Sequence, residues 1–351
     1  PFQRSGGARA QGRGGFSTPM EVGRLMARLL APTPKAHVYD PACGSGGLLI
    51  KARLVYEETH AANPSLRNRA PKLYGQELNP TTFALAKMNM FLHDYTDSSI
   101  LIGDTFRNPR FEHAGRLQQF DYVVANPMWN QDNYAEKFYE DDQRQRFTLG
   151  VPPNSSADWG WAQHILASLN DTGRAAIVLD TGAVSRGSGS RGSNKEKEIR
   201  KAFVERDLVE GVVLLPENLF YNTTAPGILL LLSRGKRPEQ RNRILLVNAS
   251  AYFKKGKPKN ALTPEGIDAV AAAYKGWRDV PKLCKVITTD DARAADYNLS
   301  PSQFVEIADR ATHRPLSTIL ADLAVAKSER EKADAQLTSI LERLGLTGVR
   351  S

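Results

Sequence analysis

The chain has 351 residues, with 47 Lys and Arg against 38 Asp and Glu, so its formal charge at pH 7 is +9. Apolar residues at 41% and charged residues at 24% are typical of a globular protein, which excludes wholesale disorder and a collagen-like fibre. No apolar run is long enough to span a membrane, and two cysteines are too few for a disulfide framework, which favours a reducing, cytoplasmic setting.

The first predicted element is a helix that begins near Thr18. Thr18 and Glu21 match a Thr-x-x-Glu capping box, and Pro19 suits the first helical position. The apolar spacing continues to Leu30 and stops at the prolines that follow. Residues 1–14, rich in Gly, Arg and Ala, are predicted to form a flexible arm or linker.

Seven short apolar runs follow, and their length and β-branched residues favour strands over buried helical turns. Strands that alternate with helices indicate an α/β fold with a mainly parallel sheet. The predicted strands are 37–39, 73–77, 100–102, 122–125, 175–179, 209–215 and 227–232. Helices are predicted at about 48–60, around 85–92 and, as an amphipathic segment, at 162–169.

Two segments without a periodic pattern, 130–156 and 184–194, are predicted to be long loops, which in compact domains are functional or disordered. Near the C-terminus, Ala333, Leu337, Ile340 and Leu344 are spaced as a heptad seam and predict a helix of about thirty residues. Such a helix either packs on its own domain or pairs with a helix of a partner.

Polar side chains stand at four consecutive predicted strand ends: Asp40, Glu77, Asp104 and Asn126. In open α/β sheets the ligand crevice lies beyond the carboxyl ends of the strands. Four such residues in register with predicted strands therefore indicate one binding site.

The turn at 40–47 reads Asp-Pro-Ala-Cys-Gly-Ser-Gly-Gly and can bring backbone N–H groups close to a ligand. It matches neither the phosphate loop nor the Gly-x-Gly-x-x-Gly dinucleotide fingerprint. Glu77 can accept both hydroxyls of a ribose, and Asp104 can accept from an exocyclic adenine amine. These features predict an adenosine-containing ligand without phosphates.

The fourth strand end continues as Asn126-Pro127-Met128-Trp129. It resembles the catalytic Asn/Asp/Ser-Pro-Pro-aromatic tetrapeptide of amino-methyltransferases that use S-adenosylmethionine (AdoMet). An adenine N6 amine is a poor nucleophile because its lone pair is delocalised into the ring. The Asn oxygen and the carbonyl of the next Pro can each accept one N–H hydrogen and localise that lone pair. This chemistry needs positioning and electrostatics, and no metal.

Trp129 can stack on a base extruded from the duplex, a contact worth about 1–3 kcal/mol. Met128 departs from the motif, because the family has a second Pro there. Since Pro127 and its carbonyl are retained, we expect Met128 to affect the rate, through a looser loop, more than the type of reaction.

Three further segments resemble a particular group of these amino-methyltransferases. Phe16-Ser17-Thr18-Pro19 precedes the glycine turn, as in γ-type DNA N6-adenine methyltransferases, and 215–226 and 296–301 look like segments around the target base and the end of the catalytic region. The combination, from about residue 14 to 301, is most similar to the modification (M) subunit of type I restriction–modification systems.

The resemblance implies a class I, Rossmann-like, AdoMet-dependent methyltransferase fold at 15–310, with a seven-stranded mainly parallel sheet. It also implies that 1–14 links to an N-terminal helical domain missing from this chain, and that 311–351 is a helical tail for subunit assembly. It assigns AdoMet binding to Phe16, Ser17, Thr18, Pro19, Asp40, Gly44, Ser45, Gly46, Gly47, Glu77 and Asp104, catalysis to Asn126, Pro127 and Trp129, and a secondary base contact to Phe220 or Tyr221. It assigns no metal ligand.

The activity so implied is site-specific methylation of adenine N6 in double-stranded DNA. The implied partners are a specificity (S) subunit held by the C-terminal helix, a second M subunit and a restriction (R) subunit. RNA and protein amino-methyltransferases share the Asn-Pro motif but lack the Phe-Ser-Thr-Pro element, and they remain one alternative. The other is a catalytically weak AdoMet-binding scaffold.

The positive charge is concentrated in three segments, with net charges of +4 at 1–30, +4 at 186–206 and +8 at 234–259. Each segment is a candidate for contacts with DNA phosphates or for ordinary solvated surface.

Overall fold

The computed structural model describes residues 18–307, 325 and 327–338, which fall into two units divided after Ile307. The predicted arm at 1–14 and the residues Phe16 and Ser17 lie outside the described part. The first unit is an α/β fold built on one large sheet.

The strands are β1 (His37–Asp40), β2 (Lys72–Glu77), β3 (Ser99–Ile102), β4 (Glu112–His113), β5 (Arg116–Leu117), β6 (Phe120–Ala125), β7 (Leu169–Asp180), β8 (Val209–Leu214), β9 (Gly227–Ser233), β10 (Arg243–Asn248), β11 (Phe253–Lys254), β12 (Ala261–Leu262) and β13 (Cys284–Thr288). The helices are α1 (Met20–Leu30), α2 (Gly47–Thr59), α3 (Pro64–Arg67), α4 (Pro80–Leu92), α5 (Glu136–Glu140), α6 (Asp158–Ala167), α7 (Lys195–Glu205), α8 (Pro264–Gly276), α9 (Thr289–Ala294) and α10 (Pro301–Phe304), with 3₁₀ turns at Thr181–Val184 and Pro238–Gln240.

The large sheet has the order β13-β10-β8-β9-β7-β6-β1-β2-β3. The five strands from β3 to β7 in this order are parallel to one another, while β9 runs antiparallel to both of its neighbours. All seven predicted strands are present. The structure adds two more at one edge: β10, parallel to β8, and β13, antiparallel to β10.

Each central strand sends alternate side chains to two hydrophobic cores, one on each face of the sheet. In β1, Val38 joins the core that contains α1, α2 and α8, while Tyr39 joins the core that contains α6 and α7. In β7, Val178 joins the first of these cores and Ile177 joins the second. A sheet covered on both faces explains why its strands are nearly continuous apolar runs.

Two local predictions about helices were wrong. The N-cap of α1 is Pro19, and no side chain caps this helix, so Thr18 forms no capping box. Helix α6 is not amphipathic, because its residues from Asp158 to Ile165 are all buried. Tertiary packing overrides both local patterns, since α6 lies inside the core and the Thr18 hydroxyl has another partner.

The segment 130–156 contains the short helix α5 and is ordered by an aromatic cluster. Phe106 lies at its centre, and its ring centroid is 4.7 Å from that of Tyr134 and 4.3 Å from that of Trp161. Arg146 is almost fully buried beside this cluster and donates to the carbonyl oxygens of Thr105 and Phe106 at 3.1 and 2.6 Å. These contacts fix the segment against the sheet.

The glycine- and serine-rich segment 184–194 is held by two arginines. Arg186 forms ion pairs with Asp158, Asp180 and Glu196. Arg200 is fully buried, which lowers its pKa to about 10, and it donates to the carbonyl oxygens of Ala183, Arg186 and Tyr297. Arg186 and Arg200 were candidates for contacts with DNA phosphates, but both form structural contacts within the protein.

In the second unit, the described residues 327–338 are helical and their side chains are exposed. Ala333 and Leu337 of the predicted heptad seam lie on this helix, whereas Ile340 and Leu344 are outside the described residues. Among the described helices of both units, none has the length and apolar character needed to cross a membrane.

Replacing Arg146 with Met is expected to destabilise the protein by about 3–5 kcal/mol, because Asp142 would be left as a buried unpaired charge. Burial raises the pKa of Asp142, and the hydrogen bonds and charge of Arg146 outweigh this and hold it below its usual value. The matched control is Arg144→Met, which removes a part-exposed ion pair with Glu112 and should cost about 1 kcal/mol or less. Urea unfolding measures both, and equal losses would contradict the buried-charge explanation.

Candidate active site

The predicted site residues meet at one edge of the sheet because the strands that carry them are parallel neighbours. β1 pairs with β2 on one side and β6 on the other, and β2 pairs with β3. Asp40 and Glu77 are the last residues of their strands, Asn126 directly follows β6, and Asp104 is two residues beyond β3. All four lie at the carboxyl edge, as predicted from the sequence.

The turn between β1 and α2 depends on glycine at two positions. Gly44 and Gly46 have φ angles of +54° and +82°, which L side chains rarely adopt. A Cβ at Gly46 would also lie 2.6 Å from Cε of Met90, whereas a Cβ at Gly47 would meet nothing within 4 Å. The backbone at Gly44 and Gly46 therefore takes a path that other residues would strain.

The Glu77 carboxylate links the ends of β1 and β2. One of its oxygens accepts from the Gly44 N–H at 2.9 Å and the other from the Asn79 N–H at 2.7 Å. Because a carboxylate has about four acceptor positions, two amide bonds leave capacity for a ligand hydroxyl. Glu77 thus both fixes the glycine turn and presents negative charge beside it.

Asp104 is arranged in a similar way after β3. Its Oδ1 accepts from the backbone N–H groups of Phe106 and Arg107 at 2.9 and 3.1 Å, and the hydroxyl of Tyr134 lies 3.5 Å from Oδ2. Oδ2 also forms an ion pair with Arg107, whose Nη1 lies 3.8 Å away, but it has fewer close contacts than Oδ1 and so keeps acceptor capacity for a ligand donor.

The carboxyl edge of the sheet contains a cavity of about 420 Å³. Gly44, Glu77, Asp104 and Asn126 all line it, and its size is within the usual range for small-molecule sites. Among the lining residues that were not predicted from the sequence, three come from the ordered segment and from α6: Gln131, Tyr134 and Trp161. No periodic pattern or motif marks them, because only the fold brings them to the cavity.

Asp40 is fully buried beneath the turn, where its Oδ1 accepts from the Ala42 N–H at 3.0 Å. Burial raises the pKa of Asp40 to about 8, and the nearby charge of Glu77 adds to this effect. Burial likewise raises the pKa of the Cys43 thiol well above its ordinary value, which is typical of a packing residue and not of a nucleophile.

Asn126 is buried, and its amide is oriented by one hydrogen bond. Its Nδ2 donates to the hydroxyl oxygen of Thr18 at 2.9 Å, across 108 positions of sequence. Its Oδ1 is buried and forms no hydrogen bond with any residue that the structure describes. Asn126 thus presents an acceptor whose direction is set by Thr18.

Trp129 packs edge-to-face on Phe220, with ring centroids 5.0 Å apart and an interplanar angle of 72°. Phe220 is almost completely buried, whereas Tyr221 is 65% exposed. Gly227 at the start of β9 allows this packing, because a Cβ there would lie 2.7 Å from the Phe220 ring and 3.0 Å from that of Trp129. Of the two residues between Asn126 and Trp129, Pro127 is buried and Met128 is exposed.

The remaining predicted positions lie around this centre. Pro19 precedes α1, and Ser45 is exposed in the glycine turn. A larger cavity of about 740 Å³ contains none of the predicted site residues; it is lined by residues such as Arg174, Glu210 and Tyr274. Among the described residues, no group of three or more His, Cys, Asp or Glu side chains is arranged to hold a metal ion.

The basic segment 234–259 is divided between opposite edges of the sheet. Residues 234–242 connect the end of β9 to the start of β10, at the amino edge of the parallel strands. Residues 249–259 follow β10 and lie at the carboxyl edge, with the site. The second part therefore shares the edge of the sheet that carries the site, whereas the first part does not.

The chain is also similar in sequence to known proteins. Residues 3–312 match the family described as N-6 DNA Methylase. Two proteins of Methanocaldococcus jannaschii, the methylase subunits of the type I restriction enzymes MjaVIII and MjaVII, are 42% and 37% identical over 82% and 90% of this chain. The chain spans about half the length of these relatives, 49% and 54%.

One solved structure is also similar to this chain. The type I restriction–modification system methyltransferase subunit from Streptococcus thermophilus superposes with a TM-score of 0.71 at 29% identity. The alignment covers 83% of this chain and 59% of that subunit.

Gly46→Ala is expected to destabilise the protein by about 1–2 kcal/mol, because alanine at φ +82° is strained even if Met90 moves aside. Gly47→Ala is the matched control: it adds the same methyl group in open space within α2 and should be neutral or slightly stabilising. Denaturant unfolding of both variants measures the difference. Equal stabilities would mean that the turn does not require glycine at Gly46.

Proposed function

The chain belongs to the N-6 DNA methylase family, and we propose that it transfers a methyl group from AdoMet to the N6 amine of an adenine in double-stranded DNA, as the M subunit of a type I restriction–modification complex. The observation that carries the proposal is the buried, unbonded Oδ1 of Asn126 at the edge of a cavity lined by Glu77 and Asp104. A buried acceptor without a partner costs free energy, so its retention is best explained by a donor that the substrate supplies.

In the proposed reaction, Asn126 and Pro127 act on the two hydrogens of the target amine. The Asn126 Oδ1 accepts one N–H and the backbone carbonyl of Pro127 accepts the other, which draws the nitrogen toward tetrahedral geometry and localises its lone pair. Both acceptors are held in place before the reaction, so little reorganisation is needed. The exposed Met128 leaves the Pro127 carbonyl in the chain and so preserves this arrangement.

The residues around the cavity fit AdoMet. When bound, AdoMet supplies a methyl group activated by a positively charged sulfonium. Glu77 is proposed to accept the ribose hydroxyls and Asp104 the adenine amine, while the turn from Gly44 to Gly47 holds the methionine part. The fit is supported by the free acceptor capacity of Glu77 and by the close backbone path that Gly46 permits.

The remaining cofactor residues extend this site. Asp40 and Ser45 are proposed to hold the methionine part of AdoMet together with the glycine turn. Phe16, Ser17, Thr18 and Pro19 are proposed to close the same site from the chain that leads into α1. Gln131, Tyr134 and Trp161, which also line the cavity, are proposed as the opposite wall.

Trp129 is proposed to stack on the extruded target base. Phe220 lies behind it in the core and is proposed to hold its ring, so that it acts on the base through Trp129. The exposed Tyr221 is the remaining candidate for a direct second contact with the base.

The names of the relatives favour DNA over RNA or protein as the substrate, and the available Asn126 acceptor favours catalysis over a scaffold role. The proposed partners are an S subunit, a second M subunit and an R subunit. For the S subunit we propose pairing through the C-terminal helical tail at 311–351, whose described residues 327–338 are helical and exposed.

Asn126→Ala is expected to lower methyl transfer by about 10²–10³-fold, since it removes one preorganised acceptor. AdoMet binding should change little, because Glu77 and the glycine turn are intact. The assay is transfer of a tritiated methyl group to adenine in DNA by the chain assembled with its S subunit. Asn68→Ala, at an exposed Asn away from the cavity, is the control. Full activity in Asn126→Ala would overturn the proposed role of Asn126.

Thr18→Val is expected to lower kcat by about tenfold, because a lost hydrogen bond of ~1–1.5 kcal/mol lets the Asn126 amide rotate. Thr18→Ser keeps the hydroxyl and should restore most of the activity. The two roles of Thr18 are separable by kinetics: a positioning role lowers kcat and leaves KM for AdoMet unchanged, whereas contact with AdoMet raises KM. An unchanged kcat in Thr18→Val would exclude the positioning role.

A further inference from the structure

Residues 253–262 form a small hairpin, with β11 and β12 paired antiparallel. It is called the lysine hairpin here because Lys254, Lys255 and Lys257 are exposed along it. Within the described part of the chain, these three side chains form no hydrogen bond or ion pair. Three unpaired cations on one short hairpin are therefore available to an external partner.

The lysine hairpin is anchored by its fourth lysine. The Lys259 Nζ donates to Oδ1 of Asn218 at 3.0 Å and to the Thr223 carbonyl at 2.9 Å. The Asn260 N–H donates to the Asn218 carbonyl at 2.9 Å, and its side chain donates to the Glu217 carbonyl at 3.1 Å. The hairpin is thus fixed to the segment 215–226, while its other lysines stay free.

The segment 215–226 in turn reaches the proposed catalytic motif. It joins the end of β8 to the start of β9, at the carboxyl edge of the sheet, and it contains Phe220, which packs against Trp129. The chain leading into the hairpin leaves from the same edge, since the Ala249 N–H donates to the Leu214 carbonyl at 2.9 Å. The lysines therefore lie on the same edge as Asn126, linked to Trp129 through packed residues.

The charge of this surface is predominantly positive. The segments 215–226 and 249–262 together contain four lysines and a single acidic residue, Glu217. Since Lys259 is used internally, the three exposed lysines are opposed by one carboxylate. Lysine contacts phosphate as a point charge and carries no base information, which suits a surface that holds DNA without reading its sequence.

We propose that the lysine hairpin binds the phosphate backbone of the DNA duplex next to the extruded adenine, and that its attachment to 215–226 sets the distance between that backbone and Trp129. The inference rests on the proposed function for its DNA substrate, and it adds a second contact region outside the cavity. The occupant is a polyanionic backbone and not a protein, because the three unpaired charges are lysines without an apolar surface between them.

The test is the salt dependence of DNA binding by the chain assembled with its S subunit. The variant replaces Lys254, Lys255 and Lys257 with Gln. The matched control replaces three exposed lysines of the amino edge, Lys35, Lys72 and Lys275, which precede β1, begin β2 and line the larger cavity. Both variants lose the same charge, so they differ only in where it is lost.

We expect the hairpin variant to bind DNA more weakly and to reduce the slope of log K against log salt by about 1 per lost contact, so by up to about 3. The amino-edge variant should keep the original slope. An unchanged slope in the hairpin variant, or equal reductions in both variants, would overturn the proposal.

Methyl transfer measured in parallel separates this inference from the proposed function. If the unmodified enzyme binds DNA but transfers no methyl group to adenine, the proposed activity fails while the slopes still decide the lysine hairpin. If methylation is normal and the hairpin slope is unchanged, only the inference about the hairpin fails.

Discussion

Parallel pairing of β1 with β2 and β6 is the constraint on which the rest of the site depends. Parallel strands end at the same edge, so Asp40, Glu77 and Asn126 come together although they are 37 and 49 positions apart in sequence. The hydrogen bond from the Gly44 N–H to Glu77 then ties two of these strand ends to each other. A shift in this register would separate the residues that line the cavity.

The distribution of basic residues follows the same division of the sheet into edges. Arg146 and Arg200 are buried and bind carbonyl oxygens of connecting loops, so their charges contribute to the order of those loops. Residues 234–242 place their charge at the amino edge, and the lysine hairpin places its charge at the carboxyl edge. The net charge of +9 is therefore a sum of separate roles, and only a part of it faces the proposed DNA substrate.

Sequence patterns predicted what local composition determines: the seven strands, their carboxyl ends to within one residue and the glycine turn. The start of β7 differs, because it lies at Leu169, within a segment predicted as helix. The apolar run of β10 carries the same signal as those strands, whereas the edge strand β13 exposes Lys285 and Thr288 and has no such run. The contact of Thr18 with Asn126 could not be predicted, because a local capping pattern at Thr18 competes with a partner 108 positions away. The order of 130–156 also depends on distant contacts, since aromatic rings and Arg146 fix it from outside.

The departure at Met128 is accounted for by the way in which the surrounding loop is held. A second proline would restrict one backbone angle, and its loss is expected to loosen the loop. However, Thr18 fixes the side chain of Asn126 at one end, and the buried Asp158 accepts from the Asn130 N–H at 2.9 Å at the other. Trp129 packs against Phe220 between these two points. Because restraints from outside the loop can replace rigidity within it, we expect the tetrapeptide to keep its two proposed acceptors in place with methionine at its third position.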